Sequence, residues 1–431
     1  MLAVPKLNSV TLHYFENCVG CAACAPSCPY FYVDERYSPV EKAEFLREML
    51  RARYTLSGRL FGRLVGARMP KSEDEMWKIL EFAYRCTNCG HCYVTCPFGI
   101  DSGAMVRLLK QTLYSAGVAP TLMKQFAGFE GSGQYLQHPS VKGVWDAFMA
   151  EAAKLGAPVD KKGARVLLMV SFMDVVLMRD TVLNTIKILK RVGEDFTIPS
   201  RPLGVRPPIG AVVGDPAAQR AAVEDVVKYA ESISPQILVT IDGGFVYPNL
   251  RFEATNLLRR KFSFKVYHVT ELLAEYLREG KLKLKKTGAK VTWHDPCQLG
   301  RRAGVFEEPR EVLEAFTDYR DLPHNRANSL CCGGGDGINC LTKEMHMAMG
   351  KLLGMDIWGM LSAREKEFVE KSEDAYKKAI RRKMDDVRKS GAEVVVTACP
   401  VGIETIRLGT QLYGVNAKVV HIVDLVAEAL E

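Results

Sequence analysis

No stretch of the chain reaches the roughly 18 consecutive apolar residues that a membrane helix needs. The longest candidate, Val166 to Met178, is 13 residues and holds Asp174. The opening residues, MLAVPKLNSV, show no basic region followed by an apolar one, so no secretory signal is expected. No G-x-G-x-x-G lies between a strand pattern and a helix pattern, so no dinucleotide or flavin fold of that kind is expected. Charge of one sign is barely in excess: 58 basic against 50 acidic residues give +8. With 48% hydrophobic and 25% charged residues, the composition excludes a disordered or fibrous chain. A length of 431 residues suggests two or three domains, each large enough to bury a core.

What the chain has in quantity is cysteine. Thirteen is an odd count in a chain without a visible export signal, which argues against a disulfide framework and for metal or redox chemistry. Cys18, Cys21, Cys24 and Cys28 are followed by Pro29, and Cys86, Cys89, Cys92 and Cys96 by Pro97. Both runs read C-x2-C-x2-C-x3-C-P, the bacterial ferredoxin pattern for cubane [4Fe-4S] clusters. Three thiolates at every third residue lie on one tight turn and hold three corners of a cubane. The fourth points away, towards the other cluster, and the proline ends the turn. One cluster is therefore expected on Cys18, Cys21, Cys24 and Cys96, and the other on Cys86, Cys89, Cys92 and Cys28. Zinc sites have one longer gap between ligand pairs, which two crowded four-cysteine runs do not offer.

The motifs are separated by 57 residues that read as helix. Phe45, Leu46, Met49 and Leu50 share a face within Val40 to Tyr54, and the pattern continues over Met76 to Ala83. Met105, Leu108, Leu109 and Leu113 line a further helical face. Arg51, Arg53, Arg59, Arg63, Arg68 and Lys71 crowd this region, either as a solvated helix face or as a docking surface for an acidic redox partner.

Gly128 to Pro139 and Ala157 to Gly163 read as breaks, with one amphipathic helix, Val141 to Leu155, between them. Apolar runs then alternate with helical patterns, which argues parallel-sheet α/β architecture. An internal repeat is visible there: KVYHVTELLAEYL (265–277) matches KVVHIVDLVAEAL (418–430), QILVTIDGGFVYPNL (236–250) aligns with EVVVTACPVGIETI (393–406), and ARVLLMVSF (164–172) aligns with AKVTWHDPC (289–297). The expected organisation is multidomain: a helical ferredoxin module over 1–127, a linker with one helix over 128–163, and two repeated α/β lobes over 164–286 and 287–431. The repeat-related His268 and His421 read as structural.

The other five cysteines, Cys297, Cys331, Cys332, Cys340 and Cys399, fall in the second lobe. Cys297 and Cys399 end strand patterns, where ligands converge in parallel sheets. Cys331 and Cys332 open the glycine-rich turn CCGGGDG, whose glycines let backbone approach an inorganic cluster.

HDPCQLGR, then CCGGGDG after 33 residues from Cys297, then TACPVG, resembles the CCG domain. That domain occurs twice in heterodisulfide reductase subunits and in iron–sulfur subunits of glycerol-3-phosphate, glycolate and lactate oxidation. The whole chain, a helical ferredoxin module followed by two CCG-type lobes, is similar to the fused heterodisulfide reductase D-type subunit and to the K subunit of the membrane complex linked to dissimilatory sulfite reduction. The resemblance implies a third [4Fe-4S]-type cluster on Cys297, Cys331, Cys332 and Cys399 that cleaves or forms a sulfur–sulfur bond.

Several departures from the family pattern bear on that implication. Ser171, Arg206, Pro207, Asp242 and Phe245 stand near where the first lobe would carry thiols, so that lobe is expected to bind no cluster. Gly402 replaces the fifth thiol of the family's CPxC, which would leave an iron open, and Cys340 either substitutes for it or is a small buried hydrophobe. The interval from Cys332 to Cys399, 66 residues, is longer than the family's, the excess lying around Met355 to Asp374 as a surface helix, a lid or a docking arm. His294 either donates a proton to a leaving thiolate or holds a strand end by hydrogen bonding.

With about −2 per cluster, three clusters would bring the net charge to roughly +2, so no nucleic-acid partner is expected. The resemblance implies an iron–sulfur oxidoreductase acting on a sulfur group. It receives electrons from a membrane cytochrome b or a flavoprotein and acts on a thiol or disulfide, free or carried on a small protein. It has no transmembrane segment of its own and sits at the cytoplasmic face of the membrane. The alternative is a pure electron-transfer subunit serving a flavoprotein dehydrogenase.

Overall fold

The computed structural model describes residues 2–206 and 208–431. Its backbone forms two compact units. The first comprises Met1–Gln125, Ala211–Pro216 and Leu330–Lys383, and the second Phe126–Gly210, Ala217–Ser329 and Met384–Glu431. This division crosses the lobe boundary expected at 287. Cys331, Cys332 and Cys340 belong to the first unit with the ferredoxin motifs, while Cys297 and Cys399 belong to the second.

The first unit is built on the helices Pro39–Tyr54, Glu73–Ala83 and Ser102–Ser115. Their buried faces carry Leu46, Met49 and Leu50, then Ile79, Leu80 and Ala83, then Met105, Val106, Leu109 and Leu113. The three- and four-residue spacing of these side chains makes each helix amphipathic. Each helix starts on a side-chain cap: Ser38 accepts from Glu41 N, Ser72 from Glu75 N and Asp101 from Ala104 N.

Onto this core the glycine-rich turn 331–337 is seated. Tyr30 Oη donates to the Gly333 carbonyl at 3.0 Å. A Cβ at Gly335 would stand 2.9 Å from the Thr87 carbonyl oxygen, and one at Gly337 would meet Met123 and Val212 at 2.6 Å, so both positions admit only glycine. Lys110 Nζ lies 2.7 Å from Asp336 Oδ2, with both side chains essentially buried. The stretch Met355 to Asp374 is largely helical, as the surface-helix reading expects. It forms the helix Ile357–Met360 and the start of a 28-residue helix, Ala363–Ser390. Phe368 packs edge-on against Trp77 and Tyr84 at 5.5 and 5.9 Å, and Ser372 accepts from Arg85 at 2.9 Å.

The second unit holds two four-stranded sheets. The first contains β1 (Val166–Leu168), β2 (Phe196–Thr197), β3 (Ile237–Thr240) and β4 (Lys265–His268). The second contains β5 (Lys290–Trp293), β6 (Asp318–Tyr319), β7 (Val394–Thr397) and β8 (Lys418–His421). Their orders, β2-β1-β3-β4 and β6-β5-β7-β8, are the same, and every pairing is parallel. The inner strands β1, β3 and β7 are short Val/Ile/Leu-rich runs, as strands of parallel sheets buried on both faces should be. His268 and His421 cap equivalent helices, and each places Nε2 near the Ile241 carbonyl, at 3.3 and 3.2 Å. Burial lowers both imidazole pKa values, that of His268 to about 3, so they stay neutral and structural.

The one helix expected within 128–163 is present as Pro139–Lys154. The glycine-rich stretch before it is ordered as well, by the helix Thr121–Ser132 and a 3-10 turn over Gln134–Gln137. Tyr135 is buried and donates to the Pro202 carbonyl, and Trp145 Nε1 donates to the Ser200 carbonyl at 2.9 Å. The linker-like glycines and serines are tolerated because these buried aromatics anchor the segment.

Removing one partner of a buried ion pair leaves the other charge uncompensated. Lys110→Met should therefore destabilise the chain by about 3–5 kcal/mol, measured as the shift in urea midpoint, and Lys110→Met with Asp336→Asn should recover most of that loss.

Candidate functional site

The structure gathers the eight ferredoxin cysteines into two cavities of the first unit. One is lined by Cys18, Cys21, Cys24 and Cys96, the other by Cys28, Cys86, Cys89 and Cys92. The fourth cysteine of each motif thus lies with the first three of the other motif. Among the described residues, no three His, Cys, Asp or Glu side chains gather tightly enough for a single metal ion. A cubane differs in presenting four separate iron corners to its thiolates.

The backbone reason for these cavities repeats in both motifs. The residues two and four after the first cysteine adopt left-handed conformation: Gly20 (φ 70°) and Ala22 (φ 57°), then Asn88 (φ 51°) and Gly90 (φ 73°). Left-handed residues turn successive N–H groups towards one side, forming a concavity suited to an anion. Asn88 N lies 3.4 Å from Cys86 Sγ. Ala22 accepts a conformation that costs a non-glycine residue about 1–2 kcal/mol.

Burial, as the main cause, pushes the Cys24 and Cys86 thiols up to about 11 and Cys92 well above the ordinary thiol range. Neighbouring thiols add to the rise at Cys24 and Cys92. Such sulfurs are protonated at neutral pH until a cation displaces the proton, as metal ligation does. The chain supplies one cation itself: buried Lys42 places Nζ 3.3 Å from Cys28 Sγ and 2.7 Å from the Arg85 carbonyl. The thiols, the inward N–H groups and this cation fit [4Fe-4S] clusters. Cys21 is exposed, and the large apolar side chains Val19 and Phe98 stand exposed on the same cavity wall.

The CCG turn approaches the second cavity. Thr87, next to Cys86, has its hydroxyl 3.2 Å from Cys331 Sγ, and Gly333 N lies 3.4 Å from the same sulfur. Cys332 is buried beside it in sequence. Cys340 is half-buried, and its Sγ lies 3.7 Å from Asn339 Oδ1.

In the second unit, Cys297 and Cys399 follow β5 and β7, the central strands between which the strand order reverses. That crevice at the carboxyl ends is where open α/β sheets bind ligands. Burial, with Asp242 adding and Arg206 opposing, raises the Cys399 thiol far above its ordinary range. Gly244 is forced by Cys399, whose Sγ would lie 2.6 Å from a Cβ there. A Cβ at Gly402 would have Cys399 Cβ and Thr397 Oγ1 at 3.5 Å and the His294 ring at 3.6 Å, all ordinary contacts. His294 is buried, its backbone N–H donating to the Val396 carbonyl. Asp295 is fully committed elsewhere: Arg310 grips both its oxygens at 2.8 and 2.9 Å, and Arg326 N donates to it.

The cysteine-free lobe carries an ion pair at positions near which the family pattern has thiols. Arg206 bonds Asp242 at 3.2 Å and lies over the Phe245 ring at 5.5 Å. Ser171 caps the helix Phe172–Arg191 in a reciprocal pairing with Asp174. Pro207 lies outside the described residues.

A 4Fe-4S dicluster domain matches residues 14–100, and a CCG cysteine-rich domain matches residues 291–354. Over 99% of its length the chain is 25% identical to the D-type subunit of the dihydromethanophenazine:CoB–CoM heterodisulfide reductase of Methanosarcina barkeri, covering 96% of that protein. It is a CCG-domain iron–sulfur protein of the heterodisulfide reductase D type. This D-type chain is also 25% identical to the Hdr-like menaquinol oxidoreductase iron-sulfur subunit 2 of Archaeoglobus fulgidus, over 75% of the chain and 68% of the relative. The EtfAB:quinone oxidoreductase of Syntrophomonas wolfei is 24% identical over 96% of the chain and 58% of the relative.

Sequence reasoning missed Lys42, Thr87 and Arg310. Lys42 and Arg310 sit on amphipathic helices as single basic residues turned inward, a departure from the stripe that burial alone reveals. Thr87 carries no signal beyond its place inside a motif. Removing the Lys42 charge should lower the reduction potential of the centre at Cys28, Cys86, Cys89 and Cys92 by on the order of 100 mV. A redox titration of Lys42→Met should show that shift and leave the Cys18, Cys21, Cys24 and Cys96 centre in place.

Proposed function

We propose that the D-type chain is the iron–sulfur subunit of a heterodisulfide reductase-like complex that cleaves or forms a sulfur–sulfur bond. The single observation that carries this reading is the Thr87 hydroxyl at 3.2 Å from Cys331 Sγ, one residue from Cys86. It joins the CCG turn to the second ferredoxin cavity through one hydrogen bond. Cys18, Cys21, Cys24 and Cys96 would hold one cubane and Cys28, Cys86, Cys89 and Cys92 the other. Cys297, Cys331, Cys332 and Cys399 would hold a third [4Fe-4S]-type centre. When bound, these groups supply one-electron transfer and, at the third site, a soft iron with affinity for sulfur.

The residues of the chain do the rest. Exposed Cys21 and its apolar surroundings offer an entry for electrons from a membrane cytochrome b or a flavoprotein. Lys42 and Thr87 stabilise added negative charge on the sulfurs they face. His294, beside Gly402, would hold the proton for a leaving thiolate of a disulfide, trisulfide or persulfide, free or carried on a small protein. The complex would sit at the cytoplasmic face of the membrane. No described helix is long and apolar enough to cross one, so the membrane part of such a complex would belong to a partner.

A second reading, electron transfer alone, is favoured by Gly402 in place of a thiol and by the similarity to an EtfAB:quinone oxidoreductase. The two readings part at the reaction itself. Under the sulfur-chemistry reading, the wild type should reduce a disulfide with a chemically reduced dye. Because a Cβ at Gly402 meets only ordinary contacts, Gly402→Cys, which restores the thiol of the family pattern, should fold, load iron and keep that reaction. Cys332→Ser should abolish it with both cubanes still reducible. A wild type that reduces no disulfide while electrons still pass through both cubanes would leave the electron-transfer reading standing.

A further inference from the structure

Residues 53–72 contain Arg53, Arg59, Arg63, Arg68 and Lys71 and no acidic residue. They form a short helix, Leu56–Phe61, and a 3-10 turn, Gly62–Val65. Leu56 is 73% exposed, Leu60 67%, Phe61 57% and Leu64 89%. Four large apolar side chains thus stand in water within nine residues, which is unusual enough on a soluble surface to mark an interaction site.

The backbone holds them there. Thr55 Oγ1 caps the short helix through Gly58 N at 2.9 Å. Gly58 lies so close to the Arg51 carbonyl that no Cβ fits, which pins the element to the helix Pro39–Tyr54. Arg51 Nε donates to the Gly66 carbonyl at 2.8 Å, and Ala67 N to the Gly62 carbonyl at 3.0 Å. The apolar side chains therefore project from a fixed element.

We propose that this element is a membrane-surface anchor that inserts Leu56, Leu60, Phe61 and Leu64 into the headgroup boundary of an anionic bilayer. Arg59 and Arg63 alternate with the apolar residues on the same short surface. Protein interfaces are enriched in arginine too, so what selects a bilayer here is that no acidic residue breaks the positive charge over 53–72, which fits an anionic lipid surface. Interfacial lipid-binding elements mix arginine with apolar residues, because arginine side chains reach up to the phosphates while the leucines go down. An apolar insertion with a polybasic segment is also the two-part signal that stable yet reversible membrane attachment needs. The proposal is independent of whether the third centre reacts with sulfur.

The test is flotation of the full, cluster-loaded chain with phosphatidylcholine vesicles, with and without phosphatidylglycerol. The wild type should float with the anionic vesicles and be released by high salt. Arg59→Gln with Arg63→Gln should lower partitioning by about twenty-five-fold, at roughly fivefold per arginine. Leu60→Gln with Leu64→Gln should lower it at least about tenfold. Cluster spectra and circular dichroism should stay unchanged, since all four positions are exposed. The proposal is overturned if the wild type stays off anionic vesicles, or if both double variants float as well as the wild type. If the wild type ignores lipid but the leucine variant loses binding to protein-containing membranes, the patch is a docking site for a protein and the lipid assignment fails.

Discussion

The first unit depends on the seating of one glycine-rich turn. A backbone carrying Cys331 must come within hydrogen-bond reach of a ferredoxin loop, and side chains at 335 or 337 would prevent it. The buried Lys110–Asp336 pair then fixes the turn in register, at a position where Asp336 itself is left-handed. A buried ion pair is poor evidence of net stability, yet it discriminates strongly against any arrangement that separates its members. Here it sets which sulfur faces Thr87. The contact that makes the chain more than a ferredoxin with an appendage follows from that register.

The repeat adds a second constraint in the other unit. Parallel sheets of identical strand order place Cys297 and Cys399 at a crevice between central strands, and the cysteine-free copy has not simply lost its chemistry. Its Asp242 and Arg206 stand close enough to act on the Cys399 thiol in opposite directions. The degenerate lobe thereby supplies the electrostatic surroundings of its twin, and Gly244 marks how closely the two strand ends approach.

The fold is legible in the sequence where local rules govern. The helical spacing of Leu46, Met49 and Leu50, the caps at Ser38 and Ser72, and the matched strands at 164–172 and 289–297 all follow from residues close in the chain. The exchange of fourth cysteines between motifs is legible because the ferredoxin spacing itself demands it. What is not legible depends on distant partners. Gly128 to Pro139 reads as a linker because nothing local shows that Tyr135 meets Pro202. Met355 to Asp374 reads as an insertion because Trp77 and Tyr84, which receive Phe368, lie far away in sequence. The assignment of Cys331 and Cys332 to the ferredoxin unit is hidden for the same reason: CCGGGDG announces close approach without naming what is approached.

The central claim is that the chain carries a third centre able to take an external sulfur ligand. The direct measurement is electron paramagnetic resonance of the oxidised, anaerobically purified protein before and after addition of a thiol. The account predicts a paramagnetic signal distinct from both cubanes that appears or shifts with thiol and is lost in Cys332→Ser. A spectrum that thiol leaves untouched, while electrons still pass from donor to acceptor at the normal rate, would contradict it and reduce the chain to a wire.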